Sequence, residues 1–201
     1  MEANIIYNID CLTGLRNLPD DSIDCCVTSP PYFNLRDYGV SGQIGLEDTP
    51  EQYIQKLVGV FHEVRRVLAP AGTLWVNIGD CYAGSGKGAA NYPDNAMKYK
   101  QGTNRGTVGR SAIVKKFDGY KSKDLIGIPW MLAFALRADG WFLRQDIILA
   151  KPNPMPESMK DRCTKSHEYI FLLTKSPKYY FDCEAIHEKA VTSGTIPTNG
   201  P

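Results

Sequence analysis

The chain has 201 residues, 43% of them hydrophobic and 22% charged, with a formal net charge of +1. That balance excludes a disordered chain and fits one domain of α/β size with a substantial core. No run of about 18 apolar residues is present, so no membrane-spanning helix is expected, and the overall charge selects no class of partner.

The first ten residues, MEANIIYNID, lack a basic region followed by a long apolar stretch, so they are not read as a signal peptide. Residues 4–9 are expected to form a short strand, and residues 11–18 a short helix closed by Pro19-Asp20-Asp21. Ile23 to Thr28 is an apolar run suited to a strand buried on both faces, which makes core residues of Cys25 and Cys26. A Ser-Pro-Pro-Tyr turn and a Gly-containing loop follow. Thr49-Pro50-Glu51-Gln52 predicts a helix start, with Thr49 as N-cap, Pro50 at the first position and Gln52 completing a capping box. Tyr53, Leu57, Val60, Phe61, Val64 and Leu68 then recur at helical spacing, and Pro70-Ala71-Gly72 ends the run. Thr73 to Gly79 reads as a second buried strand.

Residues 80–122 form a long segment rich in Gly, Asn, Lys and Tyr, with little periodicity. From Asp80 to Lys123 there are nine Lys or Arg against three Asp or Glu. Two readings stand for it: a basic lid whose Tyr82, Tyr92, Tyr99 and Tyr120 stack on nucleic-acid bases, or a solvated loop. Asp124 is expected to cap a helix through Leu136, stopped by Asp139-Gly140. Trp141 to Lys151 and Glu168 to Thr174 read as two strands joined by the Pro-rich loop KPNPMPESMKDR. The order predicts a mainly parallel sheet with an antiparallel hairpin at one edge. The six cysteines are read as reduced. The pairs Cys163/His167 and Cys183/His187 flank an apparent strand and lack a C-x2-C knuckle, so no metal site is expected.

The chemistry concentrates at Ser29-Pro30-Pro31-Tyr32, just past a strand end, where open α/β sheets bind ligands. Two prolines restrict the loop to few conformations. The loop offers a hydroxyl, free carbonyls and an aromatic face, which suits a planar substrate bearing an amino group. The alternative is an ordinary Pro-Pro turn with Tyr32 packed in the core.

TSPPY after an IDCCV strand resembles the catalytic motif of the amino-directed DNA methyltransferases, which modify cytosine-N4 or adenine-N6. EVRRVLAPAGTLWVNIGDCYAG and LIGIPWMLAFALRADGWFLRQDIILAKPNPMPESMKDRCTKSHEYIFLLTKS resemble later parts of the same family, so the likeness runs over roughly residues 5–188. It implies a Rossmann-like α/β fold, S-adenosyl-L-methionine as cofactor and double-stranded DNA as partner, in the cytoplasm. It implies a target base flipped out of the duplex. Tyr32 would stack on that base, while Ser29 and the Pro30 carbonyl would accept hydrogen bonds from its amino group. The amino nitrogen would then attack the cofactor methyl directly. The resemblance puts Asp10, Thr28 and Asp80 on the cofactor side, and Lys151, Asn153, Glu157 and Ser158 near the target base. For Asp80 a turn-capping role stands as the alternative. The Lys151–Ser158 stretch also reads as an ordinary Pro-rich turn. No Pro-Cys pair occurs, which argues against ring-carbon methylation.

Serine before Pro-Pro-Tyr favours cytosine-N4, with adenine-N6 as the alternative. Asn-Pro-Pro-Tyr would have pointed to protein amides. The family's Phe-x-Gly-x-Gly cofactor motif is not found: Phe117-Asp118-Gly119 is a one-glycine near miss, and Gly84-Ser85-Gly86-Lys87-Gly88 is no phosphate loop. Residues 1–188 are therefore read as the first half of a permuted enzyme, and 189–201 as a linker or the start of a recognition region. A missing C-terminal half or a second polypeptide would supply the rest. On that basis Ile23–Thr28 is expected to be an exposed apolar edge that lowers solubility. A catalytically inactive DNA-binding remnant is the reading of a different class.

Overall fold

The structure, a computed structural model, describes residues 2–84, 116–154, 156–157 and 159–188. Its elements run α1 (Cys11–Arg16), β1 (Ile23–Thr28), α2 (Pro50–Val67), β2 (Leu68–Ile78), α3 (Ile128–Ala138), β3 (Phe142–Ala150) and β4 (His167–Thr174). The strands make one sheet of order β1-β2-β4-β3. β1 and β2 are parallel, with α2 as the crossover that parallel pairing requires. β4 runs antiparallel to both β2 and β3, so the expected edge hairpin is β3–β4. Parallel pairing is confined to β1–β2, and the sheet of the described residues is mixed.

α2 begins as its sequence dictates. The Thr49 hydroxyl accepts from the Gln52 N–H at 3.2 Å, and Pro50 spends no donor in the first turn. The Gln52 side chain reaches back to the Asp48 N–H at 3.1 Å, one residue beyond the usual capping box. Tyr53, Leu57, Phe61 and Val64 are buried, as their spacing predicts, while Val60 is half-buried. They join Leu74, Val76 and Ile78 of β2, Phe171 and Leu173 of β4, and Leu132 and Leu136 of α3 in one core. Both long helices thus cover the same face of the sheet.

Four expectations are corrected. Residues 4–9 form no strand, and Ile6 is 97% exposed. A strand needs a partner ladder, and no described strand lies beyond β1. β1 is not buried on both faces: Val27 is 77% exposed and Cys25 is exposed, because no described helix covers that side. Of the two cysteines, only Cys26 packs against the core. Asp124 does not cap α3. Its carboxylate accepts from the Lys121 N–H at 2.9 Å, and the helix starts at Ile128-Pro129 after a left-handed Gly127. Pro70-Ala71-Gly72 does not separate helix from strand. α2 passes into β2 at Leu68, and the register jumps from Ile23↔Leu68 to Cys25↔Thr73 around it.

The segment after β2 enters and leaves through one clamp. Ala83 N–H donates to the Asp124 carbonyl at 2.8 Å, Lys123 N–H to Ala83 at 2.9 Å, and Ile126 N–H to Cys81 at 3.0 Å. Tyr92 and Tyr99 of the basic loop lie outside the described residues.

Phe33, directly after the Ser-Pro-Pro-Tyr turn, is 2% exposed. Its ring sits 5.3 Å from Tyr53 and 5.4 Å from Phe117, so helix, turn and loop end meet on it. Phe33→Ala is expected to cost about 3–5 kcal/mol of stability, read as a lowered midpoint in urea unfolding.

Candidate functional site

The Ser29–Tyr32 turn is held from three sides. The Tyr53 hydroxyl, rising from α2, donates to the Pro31 carbonyl at 2.8 Å. Leu35 N–H donates to the Tyr32 carbonyl at 3.3 Å, and Asn34 N–H to the Gly45 carbonyl at 2.6 Å. Gly45 sits at φ +103°, and a Cβ there would lie 3.0 Å from the Tyr32 carbonyl oxygen, so only glycine lets the loops approach. With the Pro31 and Tyr32 carbonyls occupied, the Pro30 carbonyl is bonded to no donor among the described residues. Ser29 is exposed and Pro30 is buried. A shallow cavity of about 310 Å³ is lined by Ser29, Pro30, Pro31, Tyr32 and Arg36.

Tyr32 is half-buried, and its hydroxyl defines a cluster that the sequence reading missed. The oxygen lies 2.8 Å from Glu168 Oε2 and 2.9 Å from Asn77 Oδ1. Asn77 Nδ2 donates to the Tyr169 carbonyl at 3.3 Å, which turns Oδ1 toward Tyr32 and toward Ser29 Oγ, 3.4 Å away. Glu168 Oε1 is paired with Lys151 Nζ. The ring itself lies against Gly79: a Cβ there would stand 2.6 Å from Tyr32 Cε2. Asn77 inside TLWVNIG and Glu168 opening HEYIFLLT are polar residues in apolar strands, and that mismatch was the available signal.

Burial, reinforced by the neighbouring Glu168 carboxylate, pushes the Tyr32 hydroxyl up to about 12. Burial would also raise Glu168, but hydrogen bonds from Lys151 and Tyr32 outweigh it and hold the carboxyl below its ordinary range. Lys165, half-buried nearby, is depressed by burial, and Lys151 adds to that effect.

The remaining candidates divide. Lys151 belongs to the Tyr32 cluster. Asn153 is exposed, and Ser158 lies outside the described residues. Glu157 pairs with Arg162, whose guanidinium stacks 3.9 Å over the Tyr82 ring, so Tyr82 has a protein partner. Tyr120 is likewise engaged, donating to Glu51 at 3.1 Å. Thr28 ends β1 opposite Val76. Asp10 caps α1, accepting from the Thr13 N–H at 3.0 Å. Asp80 accepts from the N–H groups of Cys81, Gly127 and Ile128 at 2.9–3.1 Å, closing the start of α3. Both carboxylates assigned to the cofactor side thus bond to helix N-termini, where negative charge is favoured. Phe117 of the near-miss motif is a core residue. Of these candidates, the Ser29–Tyr32 turn lines one cavity, while Asp10 and Asp80 bond to helix starts.

Gly79→Ala is expected to swing the Tyr32 ring out, break its bonds to Asn77 and Glu168, and return its ionisation toward about 10, measured by ¹³C-tyrosine NMR titration. Glu168 contributes stability that is present above its unfolded value of about 4.3 and is lost as pH falls through its lower folded value. The stability gap between wild type and Glu168→Gln should therefore be largest near neutrality and shrink as pH falls below the unfolded value and through the lower folded one, read from urea midpoints across pH.

A family model described as DNA methylase matches residues 23–196. The type II methyltransferase M.Cfr9I of Citrobacter freundii is 52% identical over 189 residues, covering 94% of this chain and 60% of that protein. M.SmaI of Serratia marcescens is 50% identical over 185 residues, covering 90% and 59%. The chain spans about 60% of the length of these relatives. Among solved structures, the cytosine-N4-specific PvuII DNA methyltransferase aligns with a TM-score of 0.58 at 16% identity, over 96% of this chain and 58% of that one. The DNA modification methylase TTHA0409 of Thermus thermophilus, solved with S-adenosyl-L-methionine, aligns with a TM-score of 0.53 at 22% identity, over 88% and 57%. These structural likenesses carry the fold, and the sequence match carries the assignment: the chain belongs to the DNA methylase family.

Proposed function

We propose that this chain carries the base-binding half of a DNA methyltransferase acting on the exocyclic amino group of a flipped-out base, cytosine-N4 before adenine-N6. The observation that supports this reading is the division of carbonyls in the turn. Tyr53 and Leu35 occupy those of Pro31 and Tyr32, and among the described residues no donor takes that of Pro30, which follows the exposed Ser29 in the chain. Two acceptors on consecutive residues, followed by an aromatic ring, suit an amino group on a planar heterocycle.

Ser29 and Pro30 would accept the two amino protons and draw the nitrogen toward tetrahedral geometry. Its lone pair is then free to act as nucleophile, with no covalent bond between protein and base. Tyr32, anchored at its hydroxyl, would offer its ring to the base by stacking. S-adenosyl-L-methionine would supply the methyl group. Double-stranded DNA would be the partner, a reading supported by the likeness to type II methyltransferases. Serine as a neutral acceptor supports cytosine and does not by itself exclude adenine.

The test is calorimetric titration of the chain with S-adenosyl-L-methionine, then mass detection of N4-methylcytosine and N6-methyladenine in treated DNA. Ser29→Ala and Tyr32→Ala should each lower transfer by at least about tenfold, the loss of one hydrogen bond or one stacking contact. Transfer that survives both changes at full rate would remove the turn from the site.

A further inference from the structure

The cavity at Ser29–Tyr32 is lined not only by the turn but also by the loop that follows it, through Leu35, Arg36 and Tyr38. Among these lining residues Arg36 alone carries a charge. It is half-buried, and Tyr38 is 55% exposed. The adjacent acid, Asp37, accepts from the Gly39 N–H through Oδ1 at 2.8 Å.

The loop is braced on both sides of Arg36. The Gln43 side-chain amide bonds twice: Nε2 donates to the Arg36 carbonyl at 2.9 Å, and Oε1 accepts from the Tyr38 N–H at 2.7 Å. One side chain thus supplies the donor and acceptor that a neighbouring strand would. Farther along, Lys56 of α2 donates to the Gly42 carbonyl at 3.2 Å and pairs with Glu47 at 3.1 Å, and Glu47 accepts from the Gly45 N–H at 2.8 Å. Arg36 therefore reaches the cavity from a held backbone. We propose that Arg36 is a phosphate contact of the flipped nucleotide, so that the cavity takes a nucleotide at two points: its amino group at Ser29–Pro30 and its phosphodiester at the Arg36 guanidinium.

This rests on the reading of the turn as a base site and deepens it by naming where the sugar–phosphate end is held. A flipped base brings its phosphodiester with it, and the turn residues are all neutral. An anion that leaves bulk water for a half-buried cavity wall needs an opposite charge there. A guanidinium meets a phosphate with two parallel N–H bonds and a full charge, whereas a neutral ring carbonyl draws less on either. Its five N–H donors let a phosphate share it with a protein acceptor. Phosphate contacts position the nucleic acid without reading sequence, so Arg36 fixes the nucleotide and leaves the choice of base to the turn.

The test uses the full chain with ¹⁵N-labelled arginine, titrated by NMR with inorganic phosphate, with deoxycytidine and with its 5′- and 3′-monophosphates. Arg36→Gln assigns the Arg36 Nε–H signal. Phosphate carries the anion without a base, so it judges Arg36 alone, and it should shift that signal saturably. A signal that phosphate leaves in place overturns the proposal, whatever the turn binds. One of the two monophosphates should bind the wild type about tenfold more tightly than the nucleoside, the gain from one charge-assisted contact. Arg36→Gln should erase that advantage, and Arg36→Lys should keep part of it, as a point charge without the fork. Ser29→Ala should weaken nucleoside and monophosphate alike and leave the advantage intact. An advantage that survives Arg36→Gln overturns the proposal. So does an Arg36→Gln chain that loses nucleoside and monophosphate in equal measure, which makes Arg36 a reader of the base. A wild type that ignores deoxycytidine while phosphate still shifts the Arg36 signal overturns the base-site reading and leaves the anion contact standing.

Discussion

A fully buried side chain directly beside a half-buried one sets a direction, and the whole turn depends on that constraint at Phe33. Its ring is locked between Tyr53 of α2 and Phe117 at the return of the long loop. Because Phe33 cannot move, the residue before it leaves the core at a fixed angle, and Tyr32 reaches across Gly79 to Asn77 and Glu168. The two prolines remove the remaining freedom. Three sequence-distant elements, α2, β2 and β4, thus converge on four residues that have no regular secondary structure of their own. The turn is rigid because its neighbours are core.

Much of this was legible in the chain. The capped start of α2, its buried stripe, the Asp139-Gly140 stop of α3 and the β3–β4 hairpin all follow from local spacing and turn chemistry. The turn could be singled out because two prolines after an apolar run have few ordinary uses. What sequence could not show was which side chains meet across the sheet. Asn77 and Glu168 are 91 positions apart in the chain, and their shared contact with Tyr32 exists only through the antiparallel register of β2 and β4. β1 misled for the related reason that an apolar run fits a buried strand, whereas burial on its second side depends on neighbours that the run does not encode.

Asp10 and Asp80 carry a second lesson. Acidic residues at strand and helix boundaries near a suspected site invite a ligand assignment. Each accepts from backbone N–H groups at a helix start, which would otherwise be unsatisfied. At Asp10 only Oδ1 takes part, so a capping carboxylate keeps both charge and lone pairs for a bound group.

The clamp between residues 81–83 and 123–126 bears on how this fold can vary. Everything from Gly84 to Lys116 departs and returns through backbone bonds only a few residues wide. The clamp holds both ends of that connection at fixed positions beside the sheet. Closing a segment twice as long between the same ends adds only about 0.6 kcal/mol of entropy. The clamp therefore works as a socket, in which a change in the length of the connection alters the closure cost only slightly while its two ends stay where the sheet holds them.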